Sequence, residues 1–147
     1  MANEVQVTIE EENYTTKVAY GDLSILADEP LDLGGQNKGL TPTQLLLSSI
    51  GSCKVITMRM YANRKQWDVK KINIDLSSEV VKSDLQQTTY VRCHISFEGN
   101  LDEDQIKRLY IIADKCPIHK MLQHPIIIES NVIDTTSATV SNYSESG

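Results

Sequence analysis

From Thr41 to about Lys65 the chain carries its strongest structural signal, a long helix around which the remaining elements must be arranged. Thr41-Pro42-Thr43-Gln44 is a complete helix start. Thr41 is a good N-cap, Pro42 suits the first helical position, and Gln44 closes a capping box. From Leu45 to Met60 nearly every side of this helix is apolar or small. Such a helix belongs in the middle of a fold rather than on its surface. Its length is roughly 35 Å at about 1.5 Å per residue. Ser48, Ser49, Gly51 and Ser52 are small enough to let another backbone approach, and Cys53 falls at the midpoint.

The flanking segments read mainly as strands. Val5, Val7 and Ile9 alternate; Tyr14 to Tyr20 forms a second run ending at the turn signal Gly21-Asp22; Leu23 to Ala27 forms a third. Asp28 to Leu40 is then a glycine-containing loop, long enough for a lid or a substrate-facing segment. It contains neither phosphate-cradling glycine pattern, which excludes nucleotide binding there. After the helix, Ile72, Ile74, Leu76 and Val80 alternate, as do Val91, Cys93, Ile95 and Phe97, with Lys82 to Thr89 as the hairpin. Asp102 caps a helix with Gln105 at its third position. Cys116 then caps a short helix opened by Pro117, and Ile126 to Ile133 forms the last strand. The predicted order is β-β-β-α-β-β-α-α-β, an α+β fold with antiparallel sheets, one domain over 1–147 and a frayed tail over 135–147.

Composition narrows the function. A net charge of −6 argues against nucleic acid as a partner, because phosphate binding wants clustered Lys and Arg. No apolar run reaches the length of about 18 residues that marks a membrane span. Met1-Ala2-Asn3-Glu4 lacks the basic start and apolar stretch of a signal peptide, so a cytoplasmic protein with reduced thiols is expected.

The three cysteines divide by role. Cys93 lies on the inward side of a strand and reads as packing. Cys116 starts a helix with Lys115 and Lys120 nearby, a setting that stabilises a thiolate and suits either a reactive or a structural cysteine. Cys53 has no acid or base on its own helical face, and Arg59 lies on another side of the helix, so its activation would have to come from another element. Cys116-x-x-His119, with His124 and Cys53, has workable metal-ligand spacing but lacks a second paired motif, so no metal or other cofactor is expected. His94 points to solvent.

Thr41-Pro42-Thr43-Gln44-Leu45-Leu46-Leu47 leading to Gly51-Ser52-Cys53, paired with Lys115-Cys116-Pro117-Ile118-His119-Lys120, resembles the OsmC/Ohr family of thiol-dependent hydroperoxide reductases, in its broad OsmC-like branch. The resemblance covers essentially the whole chain. It implies an OsmC-like fold, an intertwined homodimer, and catalytic roles for Cys53 and Cys116. Cys53 would be the peroxidatic thiolate that attacks an organic hydroperoxide; Cys116 would resolve the sulfenic acid as a disulfide. A dithiol or a lipoylated protein would restore both thiols.

One part of the family pattern is missing. The family's arginine before the central helix has no counterpart, because residues 1–58 contain only Lys17, Lys38 and Lys54 as cations. Thr43 and Gln44 stand where its glutamate partner is expected. Another cation, such as Lys38 or one near His119, would have to serve. The alternative is a non-enzymatic module of the same fold that binds a small hydrophobic ligand.

Overall fold

The alternating N-terminal residues form three antiparallel strands, β1 (Gln6–Ile9), β2 (Thr16–Tyr20) and β3 (Leu23–Ala27), in the order β1-β2-β3. The computed structural model describes residues 3–133 and 140–143. Tyr20 faces Leu23 across a two-residue turn in which Gly21 has φ 56°, a left-handed conformation glycine adopts without a side-chain clash.

The loop after β3 is tied down along its length. Ala27 bridges Leu40, and the Asp28 amide donates to the Leu40 carbonyl at 3.1 Å. The Asp28 side chain is buried and accepts from the amides of Tyr14 (3.3 Å), Glu29 (2.8 Å) and Lys38 (3.1 Å), and from the Thr15 hydroxyl (3.2 Å). Burial alone would raise its pKa. The backbone N–H groups of Glu29, Lys38, Gln36 and Tyr14 outweigh burial and hold it below the usual 3.8. One carboxylate thus gathers a segment that has only a single 3-10 turn, Leu31–Leu33, of its own.

The central helix, α1 (Pro42–Arg64), begins with the expected capping box: the Gln44 amide donates to Thr41 Oγ1 at 3.2 Å and the Thr41 amide to Gln44 Oε1 at 3.0 Å. The long hairpin β4 (Asp68–Lys82) and β5 (Gln87–Asn100) follows, turning at Ser83 to Gln86, with Leu76 opposite Cys93. Then come α2 (Glu103–Ala113), capped by Asp102, and α3 (Pro117–Leu122), capped by Cys116. The chain ends in a second hairpin, β6 (Ser130–Ile133) with β7 (Val140–Tyr143).

The fold is mixed α+β with antiparallel sheets, as the sequence implies, with differences at the C-terminal end. The last strand begins at Ser130 rather than Ile126, because β7 pairs only with Ser130 to Ile133. Ile126, Ile127 and Ile128 stay exposed. The tail expected to fray after Thr135 includes β7; the rest of it lies outside the described residues.

Helix α1 buries one stripe within the chain: Ile50, Lys54, Met58 and Ala62, spaced four apart, with Gly51 beside them. Met58 and Ala62 pack with Val69, Leu109, Ile112 and Ala113 as the core. Gly51 brings the helix against β4; a Cβ there would stand 2.6 Å from Leu76 Cδ1. Leu46, Ile56 and Met60, on other sides of the helix, are at least half exposed.

Two outcomes follow from this packing. Met58→Ala should lower unfolding free energy by about 2–5 kcal/mol in denaturant titrations; an unchanged midpoint would contradict a core centred on Met58. Asp28 has a folded pKa below its unfolded one, so its contribution is present above 3.8 and is lost as pH falls through the lower folded value. Asp28→Ala removes the same contribution at neutral pH and should speed amide exchange at Glu29 and Lys38. Unchanged protection there would show that the loop does not depend on this carboxylate.

Candidate functional site

Two helices position the two sequence-predicted cysteines. Helix α1 carries Cys53 at mid-length, half-buried; the start of α3 carries Cys116, fully buried. Both are free thiols. Cys116 is the N-cap of α3, as Pro117 at the first helical position suggests, and its sulfur accepts from the His119 amide at 3.2 Å.

The sequence gives the wrong sign for the Cys116 thiol. A helix start should favour the thiolate, and the amides of His119 and Ile118 do pull the pKa down. Burial and the Cys53 thiol beside it pull harder, and Cys116 ends above the usual 9.0. The nearby Cys53 thiol adds to burial in raising the Cys116 pKa. No well-aligned S–H···S bond joins them among the described residues. The two sulfurs are therefore neighbours without a fixed mutual bond.

Sequence reasoning counted Lys54 among the cations of residues 1–58 but gave it no role. It follows Cys53 directly but points inward, with its side chain only 5% exposed. Its ammonium lies 3.3 Å from the Ala113 carbonyl, 3.1 Å from Asp114 Oδ1 and 2.9 Å from His119 Nδ1. An ammonium has three N–H donors, and here there are three acceptors. A lysine in an apolar stripe, four residues from both Ile50 and Met58, was the available signal. A buried cation demands dedicated partners, because removing it from water costs several kcal/mol.

The other candidates lie apart from this cluster. Lys38 pairs with Glu12 at 2.7 Å, and Arg59 donates to the Val69 carbonyl. His94 is exposed on β5, and His124 turns its Nδ1 to the Lys120 carbonyl. No group of three or more His, Cys, Asp or Glu among the described residues could hold a metal ion. No helix among them is long and apolar enough to cross a membrane.

Cys93 does more than fill a strand face. It borders a cavity of about 440 Å³ between β5, α1 and the two short helices, together with Ile50, Lys54, Ile95, Tyr110 and His119. Burial raises its thiol pKa; the Lys54 charge lowers it and Asp114 raises it. Neither Cys53 nor Cys116 lines this cavity.

The OsmC-like protein family profile matches residues 35–131, and the chain belongs to that family. A solved structure from Psychrobacter arcticus 273-4, named for osmotic stress induction and detoxification response, is 23% identical. It aligns over 85% of this chain and 90% of its own, with a TM-score of 0.70. An OsmC-like protein from Mycoplasma pneumoniae is 20% identical over 84% and 88% of the two chains, with a TM-score of 0.71. A Legionella pneumophila protein named for organic hydroperoxide resistance is 17% identical over 84% and 90%, with a TM-score of 0.62. At these identities the likeness is one of fold. Among curated proteins, none matches this chain.

The raised pKa gives Cys116 less thiolate near neutrality than an ordinary cysteine, a deficit that shrinks only as pH passes above 9.0. Limited alkylation with iodoacetamide at about pH 8 should therefore label Cys53 well before Cys116, since the thiolate is the nucleophile. Peptide mapping that found Cys116 labelled first would refute this order.

Proposed function

We propose that this protein is a thiol-dependent reductase of organic hydroperoxides in which Cys53 reacts first and Cys116 resolves. The observation that carries the reading is the pair itself: the half-buried Cys53 sits beside the fully buried Cys116, close enough to act on its protonation.

The chemistry balances on these two sulfurs. A Cys53 thiolate attacks the terminal peroxide oxygen and breaks the O–O bond. The sulfur is oxidised to a sulfenic acid, and the peroxide leaves as an alcohol after taking up a proton. The Cys116 sulfur then attacks the Cys53 sulfur, forming the disulfide and releasing water. An external dithiol, free or on a lipoylated protein, returns both cysteines to thiols by exchange. The proton on Cys116 leaves with the sulfenic hydroxyl as the water of the disulfide step. This rescue precedes overoxidation on the ladder of sulfur states.

Activation of Cys53 is the modest part of the design. A mid-helix thiol gains nothing from the helix dipole, which acts within the terminal turns. The adjacent Lys54 spends its donors on other acceptors.

The protein acts in the cytoplasm as a homodimer. Met60 on α1, Leu23 on β3 and Ile127 and Ile128 before β6 are each more than 60% exposed in a single chain. These are apolar side chains that a second copy of the chain would cover.

Adding cumene hydroperoxide to reduced protein should lower its intact mass by about 2 Da as the disulfide forms. Cys53→Ser should abolish the change, and Cys116→Ser should leave a sulfenic acid that dimedone traps. Thiols that stay reduced while a known thiol peroxidase reacts would end the enzyme reading. Light scattering should give about twice the 16.5 kDa chain mass; a monomer would exclude the dimer.

A second reading has its own support. The cavity beside Cys93 lies off the thiol pair and mixes apolar walls with polar groups, as ligand sites do. In a binding module, freshly purified protein would retain a small molecule visible by native mass spectrometry. An empty cavity together with peroxide reactivity would exclude it.

A further inference from the structure

We propose that Lys54 is a positioning residue that sets how readily the Cys53 and Cys116 sulfurs close to a disulfide, an inference that rests on the pairing proposed above. Lys54 is covalently next to Cys53. Its three acceptors bracket Cys116: the carbonyl of Ala113, which ends α2, then Asp114 two residues before Cys116, then His119 three residues after it. His119 completes the link by donating its amide to the Cys116 sulfur. From the helix that carries one thiol to the sulfur of the other, the path is two hydrogen bonds and one residue.

Three features separate this role from two plainer ones. The ammonium is saturated, so it has no donor left to hold a Cys53 thiolate and does not replace a missing activating arginine. It is also an expensive way to fill a core stripe, since an apolar side chain of the same length would avoid the desolvation cost. Its partners all belong to the segment around Cys116 rather than to β4 or β5. A disulfide needs Cα atoms about 4.4–6.8 Å apart with correctly aimed Cβ vectors, so a small slide of α1 against α3 opens or closes the reaction. Lys54 is the polar contact that resists that slide.

Lys54→Met keeps length and fits the apolar stripe. Equilibrating the protein in glutathione redox buffers reports the effective concentration of the two thiols toward each other, without any peroxide. Oxidised glutathione takes up the two electrons and leaves as two reduced molecules while the Cys53–Cys116 bond forms. Lys54→Met should lower that effective concentration by about tenfold or more, in keeping with the cost of small misplacements at reacting centres. Asp114→Ala should lower it by a lesser factor, and Asp114→Asn, which keeps an oxygen acceptor, should recover it. After one equivalent of cumene hydroperoxide, Lys54→Met should form the sulfenic acid at the normal rate but resolve it slowly. With a second equivalent of hydroperoxide to oxidise that sulfenic acid, Cys53 would accumulate as the sulfinic acid, about 32 Da heavier.

Wild-type effective concentration in Lys54→Met would overturn the proposal, and so would equal values for Asp114→Ala and Asp114→Asn. Should Lys54→Met fail to fold, the Asp114 pair decides alone, since that side chain is 60% exposed. A wild-type protein that equilibrates with glutathione but ignores hydroperoxide would sink the peroxidase reading while leaving the clamp standing. A wild-type protein that forms no Cys53–Cys116 disulfide in any glutathione buffer would sink both.

Discussion

One rigid element carries both the core and the candidate chemistry, and the other features depend on that economy. Met58 and Ala62 of α1 pack against Leu109, Ile112 and Ala113 of α2, while Cys53 sits little more than one turn before Met58 on the same helix. Packing the core therefore sets the position of the helix that carries the Cys53 sulfur. The same contact fixes the end of α2, and three residues after Ala113 the chain delivers Cys116 at the start of α3. One helix–helix contact thus brings the helices that carry two thiols far apart in sequence to the same side of the core.

Charge is buried at two places among the described residues, Asp28 and Lys54, and both follow one physical rule. A buried charge is tolerable only when its hydrogen-bonding capacity is met. Asp28 meets it with backbone amides and so organises a loop that has little regular structure. Lys54 meets it with a carbonyl, a carboxylate and an imidazole, and so ties two helical segments. In each case an unfavourable burial becomes a specific geometry, because no other arrangement satisfies the group.

Much of the framework was legible in the sequence because it rests on local chemistry. The capping boxes at Thr41 and Asp102 and the cap at Cys116 depend on residues within one turn of each other. The alternation in β4 and β5 likewise reports local backbone geometry. The C-terminal hairpin was not legible: the β-branched residues of Ile126 to Ile133 mark strand propensity, but a strand exists only where a partner pairs with it. The role of Lys54 was missed because a lone lysine in a helix is usually solvated, and what buries it lies some sixty residues away.

The sequence by itself determined the elements as far as α3 and their order, the family resemblance and the two thiols worth watching, since each is written in neighbouring residues. The tertiary structure alone decided the protonation of Cys116, where long-range burial and the Cys53 sulfur overrule the local helix-start effect. It alone turned Cys93 toward a cavity and Lys54 toward Asp114 and His119. Electrostatics and desolvation act through space, so their balance is unknown until distant segments have packed.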